Sequence, residues 1–129
     1  MRTGVLAAIL AAFVFLGSAW AQTPIGAIAG EITDPTGAVV PAAKVTVTEI
    51  ATGRSIEVTT GGDGRYSVRN LLPSVYRIKV EAQGFAAKIV EDISVSSGSV
   101  VNGNVSLEIG KTGEVVSVTA EAVMVDTAR

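Results

Sequence analysis

The sequence predicts an all-β fold: a seven-stranded antiparallel β-sandwich of Greek-key type, preceded by a removable leader. Three observations predict it. Apolar residues recur at every second position in short runs such as Lys44-Val45-Thr46-Val47-Thr48, the period of a half-buried strand. Clusters of Gly, Pro and Asp, the residues that turns demand, separate those runs. Nowhere between residues 22 and 109 do the apolar positions repeat with a helical period.

The leader comes first. Arg2 supplies a positive start, residues 5–16 are continuously apolar, and Ala19-Trp20-Ala21 is the small-x-small pattern cut by signal peptidase before Gln22. The apolar run falls short of the roughly 18–20 residues a bilayer span needs. Residues 1–21 are therefore expected to be a signal peptide, and the mature chain to be exported, with no membrane span.

A first strand is expected over residues 27–33, with Ile28, Gly30 and Ile32 in one phase. Asp34-Pro35-Thr36-Gly37 has the residue order of a β-turn, and residues 38–43 link onward through Pro41. In the second strand Val45 and Val47 point inward, while Lys44, Thr46 and Thr48 point outward. Thr52-Gly53-Arg54 turns the chain into a third strand, whose inward phase falls on Ile56 and Val58. Gly61-Gly62-Asp63-Gly64 is a further turn, followed by the alternating run Arg65-Tyr66-Ser67-Val68-Arg69. Pro73, which has no N–H for a ladder, breaks that strand within Leu71-Leu72-Pro73-Ser74.

The fifth strand, residues 75–81, places Tyr76, Ile78 and Val80 on one side and Arg77, Lys79 and Glu81 on the other. Residues 87–96 form a weaker strand, expected to bend or bulge where Glu91-Asp92 interrupts its apolar phase. Val101, Gly103, Val105, Leu107 and Ile109 line the inward face of the seventh.

The run from Asp63 to Phe85 resembles a known family. Asp63, Gly64, Tyr66, Leu72, Pro73, Tyr76, Ile78, Val80, Gly84 and Phe85 follow the pattern of the carboxypeptidase regulatory-like domain. Pro73-Ser74-Val75 stands where that family usually has proline-glycine. The resemblance covers about residues 28–109. It implies a transthyretin (prealbumin)-like sandwich, related to carbohydrate-binding-like folds. In the carboxypeptidases that carry it, this domain is not the catalytic one.

Composition narrows the chemistry. The chain has 129 residues, a net charge of −2, and neither cysteine nor histidine. The charge is of the wrong sign for nucleic-acid binding. The missing residue types remove disulfides, thiol chemistry and the usual zinc sites. Glu31, Glu57, Glu81 and Glu108 fall at outward positions, Asp34 and Asp63 in turns, and no serine lies in a nucleophile elbow. No catalytic residue, cofactor site or metal site is nominated. Asp63 reads as a turn residue, since no second or third carboxylate sits at calcium-loop spacing. Tyr66, Tyr76 and Phe85 read as core rather than as a sugar-stacking platform. Lys44 and Lys79 point outward, away from any internal cross-link, and the outward threonines beside Lys44 offer contact surface.

Past Ile109 the texture changes. Gly110-Lys111-Thr112-Gly113 is a joint, and residues 114–120 alternate once more. Residues 110–129 are expected to form a linker and β-like tail, with residues 114–129 mobile and without a place in the sandwich, while residues 28–109 are ordered. Glu114, Val115, Val116, Val118, Thr119, Ala120, Glu121, Ala122, Val125, Asp126 and Thr127 resemble the segment that follows the regulatory-like sandwich in TonB-dependent outer-membrane receptors and leads into the plug. The resemblance implies a non-catalytic periplasmic N-terminal module of such a receptor, acting in protein contact or signalling during nutrient uptake. Its partner would be a periplasmic protein or the receptor's own plug and barrel. The alternative is a free secreted binding module with a carbohydrate-binding-like fold, for which a carbohydrate is one ligand to consider; it is the better reading if the tail proves to be an integral strand.

Overall fold

The structure, a computed structural model, describes residues 24–110 and 114–119, and every regular element among them is a strand. The expected signal peptide, residues 1–21, lies outside the described residues, as do residues 120–129. The strands are β1 (Gly26–Thr33), β2 (Lys44–Glu49), β3 (Ser55–Thr59), β4 (Arg65–Leu71), β5 (Ser74–Glu81), β6 (Ala87–Val95), β7 (Val100–Asn102), β8 (Val105–Ser106) and β9 (Val115–Thr119). They form two sheets. The smaller has the order β4-β1-β7, with β8 also on β1; the larger has the order β3-β2-β5-β6-β9.

The sandwich forms because the period-2 faces of both sheets bury the same kind of side chain. Ile28 and Ile32 from the small sheet meet Val45, Val47, Ile78 and Val80 from the large one, with Leu107 between, and all seven are essentially inaccessible. Each contributes roughly 1.5–3 kcal/mol of burial. The 38–43 link is part of this core. Val40 and Ala43 are buried, and the hydroxyl of buried Thr60 holds the link from both sides. It donates to the Val40 carbonyl at 2.9 Å and accepts from the Ala43 N–H at 2.8 Å.

The bulge expected near Glu91-Asp92 is present. Val90 pairs with Ile78 and Ile93 with Tyr76, so β6 spends three steps where β5 spends two. Asp92 takes the extra position at φ 58°, and the skip returns Ile93 and Val95 to the inward phase.

The edges depart from expectation. Ile56, assigned inward, is 37% exposed, and Val58 is half-buried. β3 is the outermost strand and has one neighbour, so little packs over it. Leu71, placed in the break, is the last residue of β4 and is buried; the interruption narrows to Leu72-Pro73. The seventh strand is split into β7 and β8, which lie end to end along β1 and run parallel to it. That parallel sense follows from the crossing after β6. Gly98 N–H donates to the Ile25 carbonyl and Ala27 N–H to the Ser99 carbonyl, so β7 enters beside the start of β1. Ile109, also assigned inward, is 80% exposed, because the chain has already swung toward β6, where Ala86 N–H reaches the Glu108 carbonyl.

The largest departure is the tail. Residues 115–119, expected to be free of the sandwich, form β9 and pair in parallel with the first half of β6, from Ala87↔Val115 to Glu91↔Thr119. Val118 packs against the core. The antiparallel sandwich read from the sequence is thus a pair of mixed sheets.

Candidate functional site

The small sheet is built around a close approach of backbone to backbone. Gly30 on β1 pairs with Tyr66 on β4, and a side chain at Gly30 would collide with the carbonyl of Gly103. A side chain at Gly103 would collide with the Tyr66 hydroxyl and lie 2.8 Å from Ile28 Cγ2. Two glycines therefore let the chain between β7 and β8 sink onto β1. The Tyr66 hydroxyl locks it there, donating to the Gly103 carbonyl at 2.6 Å. Burial pushes the Tyr66 phenol well above its ordinary pKa. Asn104 completes the fastening: its side-chain oxygen accepts the Glu31 N–H at 2.9 Å.

Above this clasp, the outer face of the small sheet carries an open groove of about 760 Å³. Ala29 and Ser67 form its floor. Arg65, Arg69, Asn102 and Asn104 stand along its walls. Arg65 Nε lies 3.5 Å from Glu31 Oε2, whereas Arg69 has no ion pair among the described residues. The groove offers guanidinium and amide groups to an extended polar ligand. It offers no exposed ring, since Tyr66, named among its lining, is only 5% accessible.

The outer face of the large sheet is different in kind. Lys44 Nζ lies 3.3 Å from Glu57 and 3.9 Å from Glu81; Lys79 lies 2.9 Å from Glu81; Arg77 lies 3.0 Å from Glu91. The hydrogen bond and charge of Lys79, joined by Lys44, hold the Glu81 carboxyl below its ordinary pKa. Thr48 and Ser55 hydroxyls meet each other at 2.9 Å. The contact surface expected beside Lys44 is therefore occupied with its own neighbours, and the small-sheet groove is the face with donors to spare. Sequence reading missed it because Arg69 and Asn102 are 33 positions apart and come together only through β1.

A second depression lies between the sheets on their open side. It is about 550 Å³, with Ile78 at its base, Val90, Ile93, Val101 and Val105 on its walls, and Asp92, Asn104 and Thr119 at its rim.

The remaining polar candidates are structural. Asp63 accepts the Arg65 N–H at 3.1 Å and so closes its turn, and Gly64 there has φ 71°. Among the described residues no three His, Cys, Asp or Glu side chains converge as metal ligands. Lys79 and Lys44 lie on the surface, as read. The Tyr76 hydroxyl donates to the Leu72 carbonyl at 2.7 Å across the Pro73 turn. Burial, with the nearby Glu49 charge, raises its phenol above its ordinary pKa.

A mixed two-sheet sandwich with a polar groove on one outer face defines an all-β class of fold. The model of the carboxypeptidase regulatory-like domain matches residues 27–108, and the chain belongs to that family. No curated protein matches the sequence. Among solved structures, a candidate carbohydrate-binding protein from Bacteroides uniformis ATCC 8492 is similar with a TM-score of 0.54 and 22% identity, over 65% of this chain and 41% of that one. The Bacillus anthracis TIE protein is similar with a TM-score of 0.56 and 20% identity, over 67% of this chain and 17% of that one. Catechol 1,2-dioxygenase from Pseudomonas arvilla C-1 is similar with a TM-score of 0.54 at 9% identity, over 74% of this chain and 56% of that one. This chain thus spans less than half of the first two proteins. At these identities the likenesses carry the sandwich fold alone.

Proposed function

We propose that this chain is the non-catalytic, periplasmic front module of a TonB-dependent outer-membrane receptor, and that it works by protein contact or signalling during nutrient uptake. The observation that carries the reading is serial order. An export leader, a regulatory-like sandwich matched over residues 27–108, and a receptor-type lead from Glu114 to Thr127 follow one another. The paired β9 departs from the free linker expected under this reading, so only a rigid version of it stands. With β9 paired to β6, the lead starts as part of the sandwich, so a force or displacement on the following segment reaches the module directly. The small-sheet groove, where Arg69 has no ion pair among the described residues, is the surface offered to a periplasmic partner.

Cell fractionation tests this. An antibody raised against the sandwich should detect, in the outer-membrane fraction, a polypeptide several times longer than 129 residues. Recovery of a short soluble product in the medium would overturn the reading.

The pairing of β9 also favours a second reading, a free secreted binding module, because an integral strand needs no plug to hold it. A carbohydrate is then the ligand class to try, given the carbohydrate-binding candidate among the structural neighbours. Calorimetric titration with soluble polysaccharides, comparing the natural chain with Arg69→Ala, separates groove binding from none.

A further inference from the structure

The clasp requires glycine at position 103, and that glycine follows an asparagine. The chain holds three asparagines, Asn70, Asn102 and Asn104, and only Asn102 precedes a glycine. A main-chain nitrogen can attack the side-chain amide of the residue before it, and does so most readily when no Cβ crowds it. Gly103 has no Cβ because a side chain there would meet the Tyr66 hydroxyl. The residue that lets the backbone sink onto β1 is thus also the least hindered nucleophile for its neighbour.

Half of the geometry for that attack is in place. The Asn102 side-chain oxygen accepts the Asn104 N–H at 3.0 Å, an Asx turn. That donor polarises the amide carbon Cγ, and it stabilises the negative charge that an attack places on the oxygen. Asn102 is exposed, so water reaches it. The other half is withheld. The Gly103 N–H, which must give up its proton, donates to the Ala29 carbonyl at 2.9 Å. The Gly103 carbonyl is held by the Tyr66 hydroxyl at 2.6 Å. Pinned at both groups, Gly103 cannot turn its nitrogen toward Cγ.

We propose that Asn102-Gly103 is a self-modification site gated by the clasp: inert while Gly103 is held, and converted to aspartate or isoaspartate once it is released. The Gly103 nitrogen passes its proton to solvent and bonds to Asn102 Cγ. The Cγ–Nδ2 bond breaks, and the side-chain nitrogen leaves as ammonia. Water then adds across either C–N bond of the succinimide ring. Opening at Cγ leaves aspartate at position 102. Opening at the original peptide carbon leaves isoaspartate, whose main chain runs through Cγ and is longer by a methylene. That added length carries the Gly103 carbonyl away from Tyr66, so the clasp does not re-form. Either product puts a carboxylate on the groove whose walls also carry Arg65 and Arg69. The site rests on the clasp alone and not on the receptor reading.

Peptide mass spectrometry on the folded chain at mildly alkaline pH reads the conversion as the mass gained when the amide becomes an acid. The folded natural chain should stay largely unconverted, while the urea-unfolded chain converts at Asn102 ahead of Asn70 and Asn104. Tyr66→Phe, which removes a buried hydrogen bond, should speed conversion of the folded chain by about tenfold. Val47→Ala, which weakens the large sheet and lies outside the clasp, should not change it. In the natural chain, conversion and hydrogen exchange of the Gly103 amide should rise together through sub-denaturing urea, since both need the bond to Ala29 broken. Equal rates in the folded and unfolded chain would overturn the proposal. So would a Val47→Ala acceleration that matches Tyr66→Phe, which would make global unfolding the route. Should Tyr66→Phe fail to fold, the urea series decides: conversion that does not follow Gly103 exchange overturns the gate.

Discussion

The sandwich is fastened on one side and parted on another, and single residues decide which. At the clasp, Gly30 and Gly103 remove two side chains, and the Tyr66 hydroxyl reaches across 37 positions of sequence to hold the backbone that sinks into the space. At the bulge, Asp92 adds one residue to β6 at φ 58°, and the depression opens beside it. The first region excludes volume and the second leaves some unfilled. Subtraction of Cβ atoms brings strands closer than a regular ladder allows, whereas insertion of a residue bends a strand away.

Ile93→Ala together with Val95→Ala should have the largest effect. The bulge turns both side chains inward, so the pair should cost about 3–6 kcal/mol, two buried side chains' worth. Urea denaturation measures it; a cost below about 1 kcal/mol, the typical effect of any point change, would mean the bulge does not set the phase.

The two tyrosines come next. Tyr66→Ala and Tyr76→Ala should each cost about 3–5 kcal/mol. The Phe variants separate them. Tyr66→Phe strands the buried Gly103 carbonyl and should cost about 1–3 kcal/mol; Tyr76→Phe frees a Leu72 carbonyl near the surface and should cost about 0.5–1.5 kcal/mol. Equal losses in paired denaturation curves would remove the distinction between a clasp and an ordinary core tyrosine.

Alkaline pH sharpens the same point. Burial raises the folded Tyr66 pKa above its unfolded value near 10.0. Below that value both states keep the proton and the stability is whole. As pH rises beyond it the unfolded state ionises first, so stability is lost. The natural chain should therefore weaken above about pH 10 more steeply than Tyr66→Phe, followed by melting temperature. Parallel profiles would show that the phenol is not held neutral.

The smallest effect should come from the large-sheet surface. Lys44→Ala removes two exposed ion pairs and should change stability by about 0–1 kcal/mol, less at high salt. A larger loss would show that this charged face, and not the core alone, helps to hold β3.

Most of the sandwich was legible because its cause is local. Alternation fixes which face of a strand is apolar, and Val45, Val47, Tyr66, Tyr76, Ile78 and Val80 are all buried where that period puts them. Turn chemistry fixed the breaks, and the carboxylate pair Glu91-Asp92 marked the bulge. The groove was not legible, because Arg69 and Asn102 share a face only after β1 comes between their strands.

By itself the sequence determined the fold class, the inward phase of each central strand and the family. Each of these depends on neighbours within a few positions. The tertiary structure alone decided the edges. Ile56 and Ile109 obey the same alternation as Ile78 yet are exposed, because burial also requires an opposing layer, and at the margins there is little. It also decided that Gly30 and Gly103 are spacers rather than flexible points, and that Val115–Thr119 is a strand rather than a tether. A strand's face is written in its own residues, but its partner lies far along the chain, and only the folded chain brings the two together.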